Sequence, residues 1–125
     1  MGPGKSREEL AQAVRLGVGL IVVESAHELE QLEAVVRLTG GSARAAVRIN
    51  PDGGSGALRM AGATQFGMDP DDAAQMLKSH APDSPVQMVG VHGYLGTRVL
   101  EAKALVDNAG RVLDAAAELQ ESTGL

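Results

Sequence analysis

The chain has 125 residues, a net charge of -5 and no cysteine, a composition typical of a single globular segment in a reducing compartment. Its charges are mixed in sign and mildly acidic overall, which excludes the clustered Lys and Arg of a nucleic-acid-binding surface. No stretch reaches the roughly 18 consecutive apolar residues of a membrane span, and the N-terminus lacks the layout of a signal peptide. The cytoplasm is therefore the expected location.

The first helix is predicted by a capping box, in which the Ser6 hydroxyl accepts from the Glu9 amide and the Glu9 carboxylate reaches back. Helical spacing of apolar residues continues to Leu16, and Gly17 ends the helix. The run GLIVVES at 19–25 is short, unbroken and rich in β-branched residues, which predicts a strand buried on both faces.

A second capping box at Ser25 and Glu28 predicts a helix that carries one apolar stripe and ends at Gly40. The stretch ARAAVRIN at 43–50 predicts the next strand. Residues 50–67 are rich in glycine and polar types, and they predict a loop longer than the usual connection of about 4 to 6 residues.

Asp69 and Pro70 supply an N-cap and a proline at the first helical position, which predict a helix over 70–79. The run VQMVGVH at 86–92 predicts a third buried strand. A last helix is predicted over 98–120, with these residues facing inward: Leu100, Leu105, Val112, Leu113, Ala116 and Leu119.

Helices and strands thus alternate along the chain, which predicts parallel strands joined by crossover helices. Two architectures satisfy this order, a doubly wound sheet and an arc of a (β/α) barrel. A complete barrel takes about 250 residues, so the chain can supply about three strands of one. Phe66 and Tyr94 are the only aromatic residues, and the core must therefore consist of aliphatic side chains and many alanines, with helices close to the sheet.

The opening stretch GPGKS at 2–6 shares its Gly-Lys-Ser ending with a phosphate-binding loop, but the rest of that motif is missing. Such a loop needs an earlier glycine for which the chain has no room, and Pro3 removes one of the backbone amides that would bind phosphate. The stretch is interpreted as a tight strand-to-helix loop with Ser6 as the helix cap.

Five ordered segments carry a resemblance: GPGKSREELAQAV, VVESAHELEQL, VRINPD, SGALRMAGATQFGMD and VGVHGYLGT. In this order they resemble the fold-type III pyridoxal-phosphate-dependent decarboxylases, the family of the diaminopimelate, ornithine and arginine decarboxylases. The resemblance implies a partial alanine-racemase-like (β/α)8 TIM barrel, with residues 1–125 as one segment of the cofactor-binding domain and the C-terminal β-domain absent. It also implies pyridoxal 5'-phosphate as the cofactor of the complete enzyme.

The resemblance implies four cofactor-binding residues. In GVHGYLGT, Tyr94 takes the place of the family's histidine that stacks on the pyridine ring, and Thr97 that of its phosphate-binding Ser or Thr. His92 matches the first histidine of the His-x-His form of many diaminopimelate decarboxylases, and Arg48 resembles a strand arginine near the cofactor ring. A tyrosine ring can cover the pyridine face, but it cannot relay protons near neutrality as histidine can.

A buried guanidinium at Arg48 needs an anionic or carbonyl partner, and Glu24 at the end of its strand is the expected one. The Schiff-base lysine of the family is expected upstream of this chain, because Lys5, Lys78 and Lys103 do not lie in a motif of its type. The chain is therefore expected to carry no catalytic residue of its own and to be inactive alone.

Each site residue also has a structural interpretation, as a strand-end hydrogen bond, a barrel filler, a helix cap or an ion pair. His27 and His80 are interpreted as solvated helix residues, and the histidines show no metal-ligand spacing. The acidic residues at 69–72 are interpreted as helix caps and not as a metal site.

The implied function is that of a segment of a pyridoxal-phosphate-dependent amino-acid decarboxylase, a lyase, which contributes part of the cofactor-site wall. Its implied substrate is a free amino acid or a carrier-tethered aminoacyl group, and its implied partners are the remainder of the enzyme and, at full length, a second copy. The first alternative is a non-catalytic pyridoxal-phosphate-binding or interaction module of the same fold. The second is a flavodoxin-like small-molecule domain, which would differ in strand order.

Overall fold

The computed structural model of the protein describes residues 4–50, 67–95 and 100–124. Within these ranges helices and strands alternate in the predicted order. They are α1 (Arg7–Arg15), β1 (Ile21–Val23), α2 (Ala26–Thr39), β2 (Ala43–Ile49), α3 (Pro70–Ser79), β3 (Val86–Gly93) and α4 (Ala102–Thr123). None of these helices combines the length and the apolar character that crossing a bilayer requires. All but the ends of the loop predicted at 50–67 lies outside the described residues.

The first and third helices begin at the predicted capping residues. At α1, Ser6 Oγ accepts from the Glu9 amide at 3.2 Å, and Glu9 Oε2 accepts from the Ser6 amide at 2.8 Å. At α3, Asp69 Oδ1 accepts from the Asp71 amide at 3.0 Å, and Pro70 takes the first helical position. These bonds fix the helix starts because they satisfy amides that have no partner within the helix.

The start of α2 differs from the predicted capping box in one bond. Ser25 Oγ accepts from the Glu28 amide at 3.1 Å, as predicted. The Glu28 carboxylate, however, accepts from the amides of Glu24 at 2.8 Å and Lys5 at 3.0 Å. The helix ends at Gly40, whose φ of 69° lies in the left-handed region that glycine adopts without strain.

The strands form a three-stranded parallel sheet in the order β1-β2-β3, so each strand lies beside the next one in sequence. Val47 is paired with Val91, and Arg48 with His92. The register between β2 and β3 shifts at Ala45/Ala46, where β3 contains one extra residue, Val89. This shift keeps the ends of β2 and β3 level with each other.

The helices all pack on the same face of the sheet. One continuous core joins alternate strand residues, among them Ile21, Val47 and Ile49, to apolar residues of all four helices. Ala46 and Arg48, which alternate with these positions on β2, do not belong to that core. A doubly wound sheet carries helices on both faces, so one-sided packing and sequential strand order indicate an arc of a barrel, with the open face as its interior.

Small residues allow the helices to approach the sheet closely, as the composition predicts. The buried core residues are Leu, Ile, Val, Met and Ala. Buried alanines of this core occur in three helices and in the central strand: Ala13, Ala43, Ala45, Ala73 and Ala115. A single methyl group at each of these positions keeps neighbouring backbones close without leaving a cavity.

Two strands differ from their predicted extent or burial. β1 covers Ile21–Val23, shorter than the predicted 19–25, because its pairing with β2 involves only these three residues. In β3, Val86 is buried but Val89 and His92 are exposed, so the prediction of a buried strand is wrong. Within the described residues, β3 pairs with β2 on one side and is covered by helices on one face, which leaves its other face open.

The last helix also differs from its prediction. α4 begins at Ala102 and continues to Thr123, while residues 98 and 99 lie outside the described ranges. Its buried residues are Ala115 and Leu119. Three residues predicted to face inward are exposed instead, namely Leu100 (96%), Leu105 (53%) and Leu113 (68%). The prediction fails because α4 contacts β3 and α3 along one narrow side, so most of its apolar residues remain uncovered by the described chain.

Replacement of Gly93 by alanine is expected to lower the free energy of unfolding by about 1 to 3 kcal/mol. A Cβ atom at Gly93 would lie 2.5 Å from Val112 Cγ2, and the β-branched valine has little freedom to move aside. Gly90 lies on the same strand, and a Cβ atom there would meet nothing within 4 Å, so Gly90→Ala is the matched control. Urea denaturation measures both variants, and equal losses would contradict close packing of α4 on β3.

Candidate functional site

Polar side chains meet where the three parallel strands end, on the face of the sheet that is away from the helices. Glu24 follows β1, Arg48 lies near the end of β2, His92 lies near the end of β3, and Tyr94 follows β3. Arg48 and His92 are paired in the parallel register, and side chains two residues apart on a strand share a face. The structure thus brings together three of the four predicted site residues.

Arg48 is held by Glu24, the partner that the sequence predicts. Arg48 Nη1 donates to Glu24 Oε1 at 3.0 Å, and the two side chains are 13% and 14% exposed. At this depth a guanidinium without an anion would be costly, whereas a paired one keeps a fixed position and a permanent positive charge. The pair links the end of β1 to the end of β2.

Tyr94 lies against the same guanidinium. The Arg48 Cζ atom is 5.8 Å from the centroid of the tyrosine ring, within the range of a cation–π interaction. Arg48 is therefore in contact with a carboxylate from β1 and an aromatic ring from β3. Its orientation is determined by elements on both sides of its own strand.

A cleft of about 700 Å³ opens beside this cluster. Arg48 and His92 line it from the sheet and Lys5 lines it from the loop before α1, while apolar side chains supply other parts of its wall: Leu16, Val18 and Leu20. The volume falls within the range of about 300 to 1,000 Å³ that small-molecule sites occupy. A mixed wall of this kind can bind a molecule with one flat apolar part and one charged part.

A buried ion pair next to the cluster was not predicted. Lys5 Nζ lies 3.0 Å from Glu28 Oε1, and the two side chains are 3% and 7% exposed. From the sequence, Lys5 belongs to a loop and Glu28 to a capping box. Their contact joins positions 23 residues apart, a separation that no helical or strand spacing relates.

His80 lies away from this edge, and its interpretation as a solvated residue is wrong. Its Nε2 atom lies 2.8 Å from the Val86 carbonyl oxygen and its Nδ1 atom 3.2 Å from Glu33 Oε1, two acceptors in a part-buried location. Ser84 Oγ donates to the same Glu33 oxygen at 2.6 Å. This network fastens α2, α3 and the start of β3 at the opposite end of the strands. His27 is exposed, as predicted.

The fourth predicted residue, Thr97, lies outside the described residues. The roles of Arg48, His92, Tyr94 and Thr97 toward a cofactor therefore stay predictions. The described geometry supports three of them by location, because an arginine, a histidine and an aromatic ring come from neighbouring strands to one edge.

Replacement of Arg48 by methionine is expected to lower the free energy of unfolding by about 1 to 3 kcal/mol, because Glu24 then loses its charged donor in a mostly buried location. Arg44 lies on the same strand and the same face but is exposed, so Arg44→Met is the matched control with a change close to zero. Urea denaturation followed by circular dichroism measures both. Similar losses in the two variants would contradict a specific role of the Glu24 contact.

This chain is similar to several known proteins. The L-glutamyl-[BtrI acyl-carrier protein] decarboxylase of Niallia circulans is 34% identical over an alignment of 127 positions, which covers 99% of this chain and 30% of the relative. The crystal structure of diaminopimelate decarboxylase from M. jannaschii with L-lysine superposes with a TM-score of 0.81 at 26% identity, over 99% of this chain and 30% of that one. An alanine racemase of Clostridium difficile, at 12% identity, shares the fold alone, with a TM-score of 0.64 over 96% of this chain and 30% of that one.

These comparisons agree with the sheet and the packing described above. The structural neighbours are alanine-racemase-like barrels, which confirms the predicted fold class. The chain spans about 30% of the length of the curated relative from Niallia circulans. Residues 1–125 match the family described as pyridoxal-dependent decarboxylase, pyridoxal binding domain, and the chain belongs to this family.

Proposed function

We propose that this chain is part of the cofactor-binding barrel of a pyridoxal-phosphate-dependent decarboxylase and contributes one wall of the cofactor site. The wall consists of Arg48, His92 and Tyr94, with Thr97 as a phosphate ligand. One observation carries the proposal: Arg48 is fixed between Glu24 and Tyr94 at the carboxyl ends of the strands, where barrel enzymes of this architecture have their active sites. Membership of the family supports it.

The residues present fit pyridoxal phosphate, a flat aromatic ring that carries an anionic phosphate. The cleft beside the cluster is large enough for such a molecule and has Arg48 and His92 on its wall. Tyr94 lies against Arg48 outside the lining of this cleft, and its aromatic ring suits the pyridine face. Apolar side chains from the β1 side of the cleft can contact the flat part of the molecule.

Pyridoxal phosphate, when bound, would supply an electron sink for the α-carbon of an amino acid, the chemistry that decarboxylation needs. The residues of this chain orient and enclose it. Arg48 supplies a permanent positive charge in a fixed position, because Glu24 holds its guanidinium. Tyr94 supplies an aromatic ring that can cover a face of the pyridine ring, and proton transfer is not assigned to it.

We propose an α-amino acid, free or tethered to a carrier protein, as the substrate of the complete enzyme. Two similar proteins support this class: one acts on an L-glutamyl group on an acyl-carrier protein, and one was crystallised with L-lysine. The proposal includes a cytoplasmic location, consistent with a cysteine-free chain, and a homodimer at full length. We also propose that residues 1–125 form one segment of the cofactor-binding barrel domain.

The alternative is a non-catalytic module, in which the segment belongs to a protein that binds pyridoxal phosphate but catalyses no decarboxylation. Both proposals need the cofactor wall, so binding alone does not separate them. Carbon dioxide release by the protein that contains this segment does, when it is measured on L-glutamyl-carrier protein, diaminopimelate, ornithine and arginine. Release from one of them supports the enzyme, and binding without release supports the module.

The single tyrosine and the absence of tryptophan make Tyr94 the fluorescent reporter of its own site. Pyridoxine 5'-phosphate, which lacks the reactive aldehyde, is expected to quench this fluorescence on titration. Arg48→Met is expected to raise the dissociation constant about tenfold, the effect of one charge-assisted hydrogen bond. Arg44→Met is the control and should leave it unchanged. An unquenched titration, or equal constants in both variants, would overturn the cofactor-wall assignment.

The chain alone is expected to release no carbon dioxide from these substrates and to form no specific lysine adduct with pyridoxal phosphate. Lys5 is buried and paired with Glu28, while Lys78 and Lys103 are exposed on helices and can react only as surface amines do. Borohydride trapping followed by peptide mass spectrometry measures the adducts. Stoichiometric labelling of Lys5, or measurable release of carbon dioxide, would contradict the expectation.

A further inference from the structure

The Lys5–Glu28 pair is the most deeply buried ion pair among the described residues, and the proposed function gives it no role. Its side chains are 3% and 7% exposed, whereas those of Arg48 and Glu24 are 13% and 14% exposed. Buried pairs of this kind contribute little net stability, because removing two charges from water offsets their attraction. A role in orientation accounts better for charges in this location.

The Glu28 carboxylate joins two segments that precede two different helices. Its Oε1 accepts from the Lys5 ammonium and from the Lys5 backbone amide, both at 3.0 Å. Its Oε2 accepts from the Glu24 backbone amide at 2.8 Å. One carboxylate thereby fixes the loop before α1 to the turn between β1 and α2.

Glu24, whose backbone Glu28 holds, is the residue whose carboxylate holds Arg48. The contacts form a continuous path from Glu28 Oε2 to the Glu24 amide, from Glu24 Oε1 to Arg48 Nη1, and from Arg48 to the Tyr94 ring. A shift of the Glu24 backbone would move its carboxylate relative to the guanidinium. The orientation of the proposed cofactor wall therefore depends on Glu28.

Glu9 provides an internal comparison, because it occupies the same position in α1 that Glu28 occupies in α2. Its carboxylate returns to the amide of its own capping residue, Ser6, at 2.8 Å. This hydrogen bond from the Ser6 amide, followed by that with the Ser6 hydroxyl, keeps the pKa of Glu9 below its ordinary value. Glu9 closes an ordinary capping box at the surface, whereas Glu28 reaches one residue further back, to Glu24.

We propose that Glu28, with its carboxylate fixed by Lys5, is a positioning residue that sets the orientation of Glu24 and, through it, of Arg48 and Tyr94. The purpose of this orientation rests on the proposed function, but the effect of Glu28 on Glu24, Arg48 and Tyr94 can be measured without the cofactor. Glu28 itself lies outside the wall of the proposed cofactor site, and its role is to hold that wall in place.

Glu28→Gln tests the proposal with almost no change in volume. A glutamine offers one acceptor oxygen in place of two, and the charged Lys5 competes for it, so the Glu24 amide loses its acceptor. In the full 125-residue chain, hydrogen exchange of the Glu24 amide is expected to rise about 10- to 100-fold. Exchange of the Arg48 guanidinium hydrogens should rise with it, and the NMR shifts of the Tyr94 ring should change.

Glu9→Gln is the matched control for the exchange measurement, since it should accelerate the Ser6 amide and leave Glu24, Arg48 and Tyr94 as in the wild type. If Glu28→Gln leaves Arg48 and Tyr94 unchanged, or if Glu9→Gln alters them equally, the proposal is overturned. The wild-type chain gives a further test: the Lys5 and Glu24 amides, which lie outside helices and strands, must exchange slowly, and rapid exchange overturns the proposal. If Glu28→Gln does not fold, Lys5→Met/Glu28→Met removes both charges and both acceptor oxygens, so the Glu24 amide again loses its acceptor and the same readouts apply.

The affinity for pyridoxine 5'-phosphate separates this inference from the proposed function. A rise of about tenfold in the dissociation constant of Glu28→Gln, as in Arg48→Met, supports both. Absence of binding in the wild type overturns the cofactor-wall assignment, while the exchange measurements still decide whether Glu28 holds Glu24 and Arg48. Unchanged affinity together with altered Arg48 exchange would overturn the purpose given to Glu28.

Discussion

The parallel register of β1, β2 and β3 is the constraint on which the site depends. Strands that run in the same direction and lie in sequence order end at the same edge, so residues separated by more than 40 positions in the sequence become neighbours. Helices on one face cover the apolar side and leave the other face open. The shift at Val89 keeps Arg48 level with His92, and without it the two side chains would lie on opposite faces.

The ion pairs at this edge are more important for orientation than for stability. A charge pair that is mostly buried gains little net free energy, but it fixes the guanidinium of Arg48 in one direction. Pre-organised charge of this kind is what a site for an anionic, aromatic molecule requires, because no free energy is then spent on ordering the side chain during binding. The Lys5–Glu28 pair also acts on orientation, because the Glu28 carboxylate accepts from the backbone amide of Glu24, the residue that holds Arg48.

The parts of the fold that could be predicted are those with local causes. Three helix starts could be predicted, at Ser6, Ser25 and Asp69, because a capping side chain and the amide that it accepts from lie within three residues of each other. The exposure of β3 and of Leu105 or Leu113 could not be predicted, because it depends on what covers these surfaces and not on their own spacing. The contacts of His80 and Glu28 could not be predicted for the same reason, because both residues join segments that are distant in sequence. The Glu28 carboxylate accepts from the Glu24 amide and not from the Ser25 amide that the capping-box pattern predicts.

The resemblance predicts that Tyr94 takes the place of the family's stacking histidine, and the geometry gives a physical reason why a tyrosine is compatible with this position. A protonated histidine at this position would place a second positive charge near Arg48, at a separation of 5.8 Å between the ring centroid and Cζ. At an effective dielectric constant near 20, such a pair costs on the order of 3 kcal/mol. A tyrosine ring reverses the sign of the contact, because its π-face attracts the guanidinium by about 0.5 to 2 kcal/mol. With tyrosine, Arg48 alone carries positive charge in this contact, and Glu24, which fixes that charge, becomes correspondingly more important.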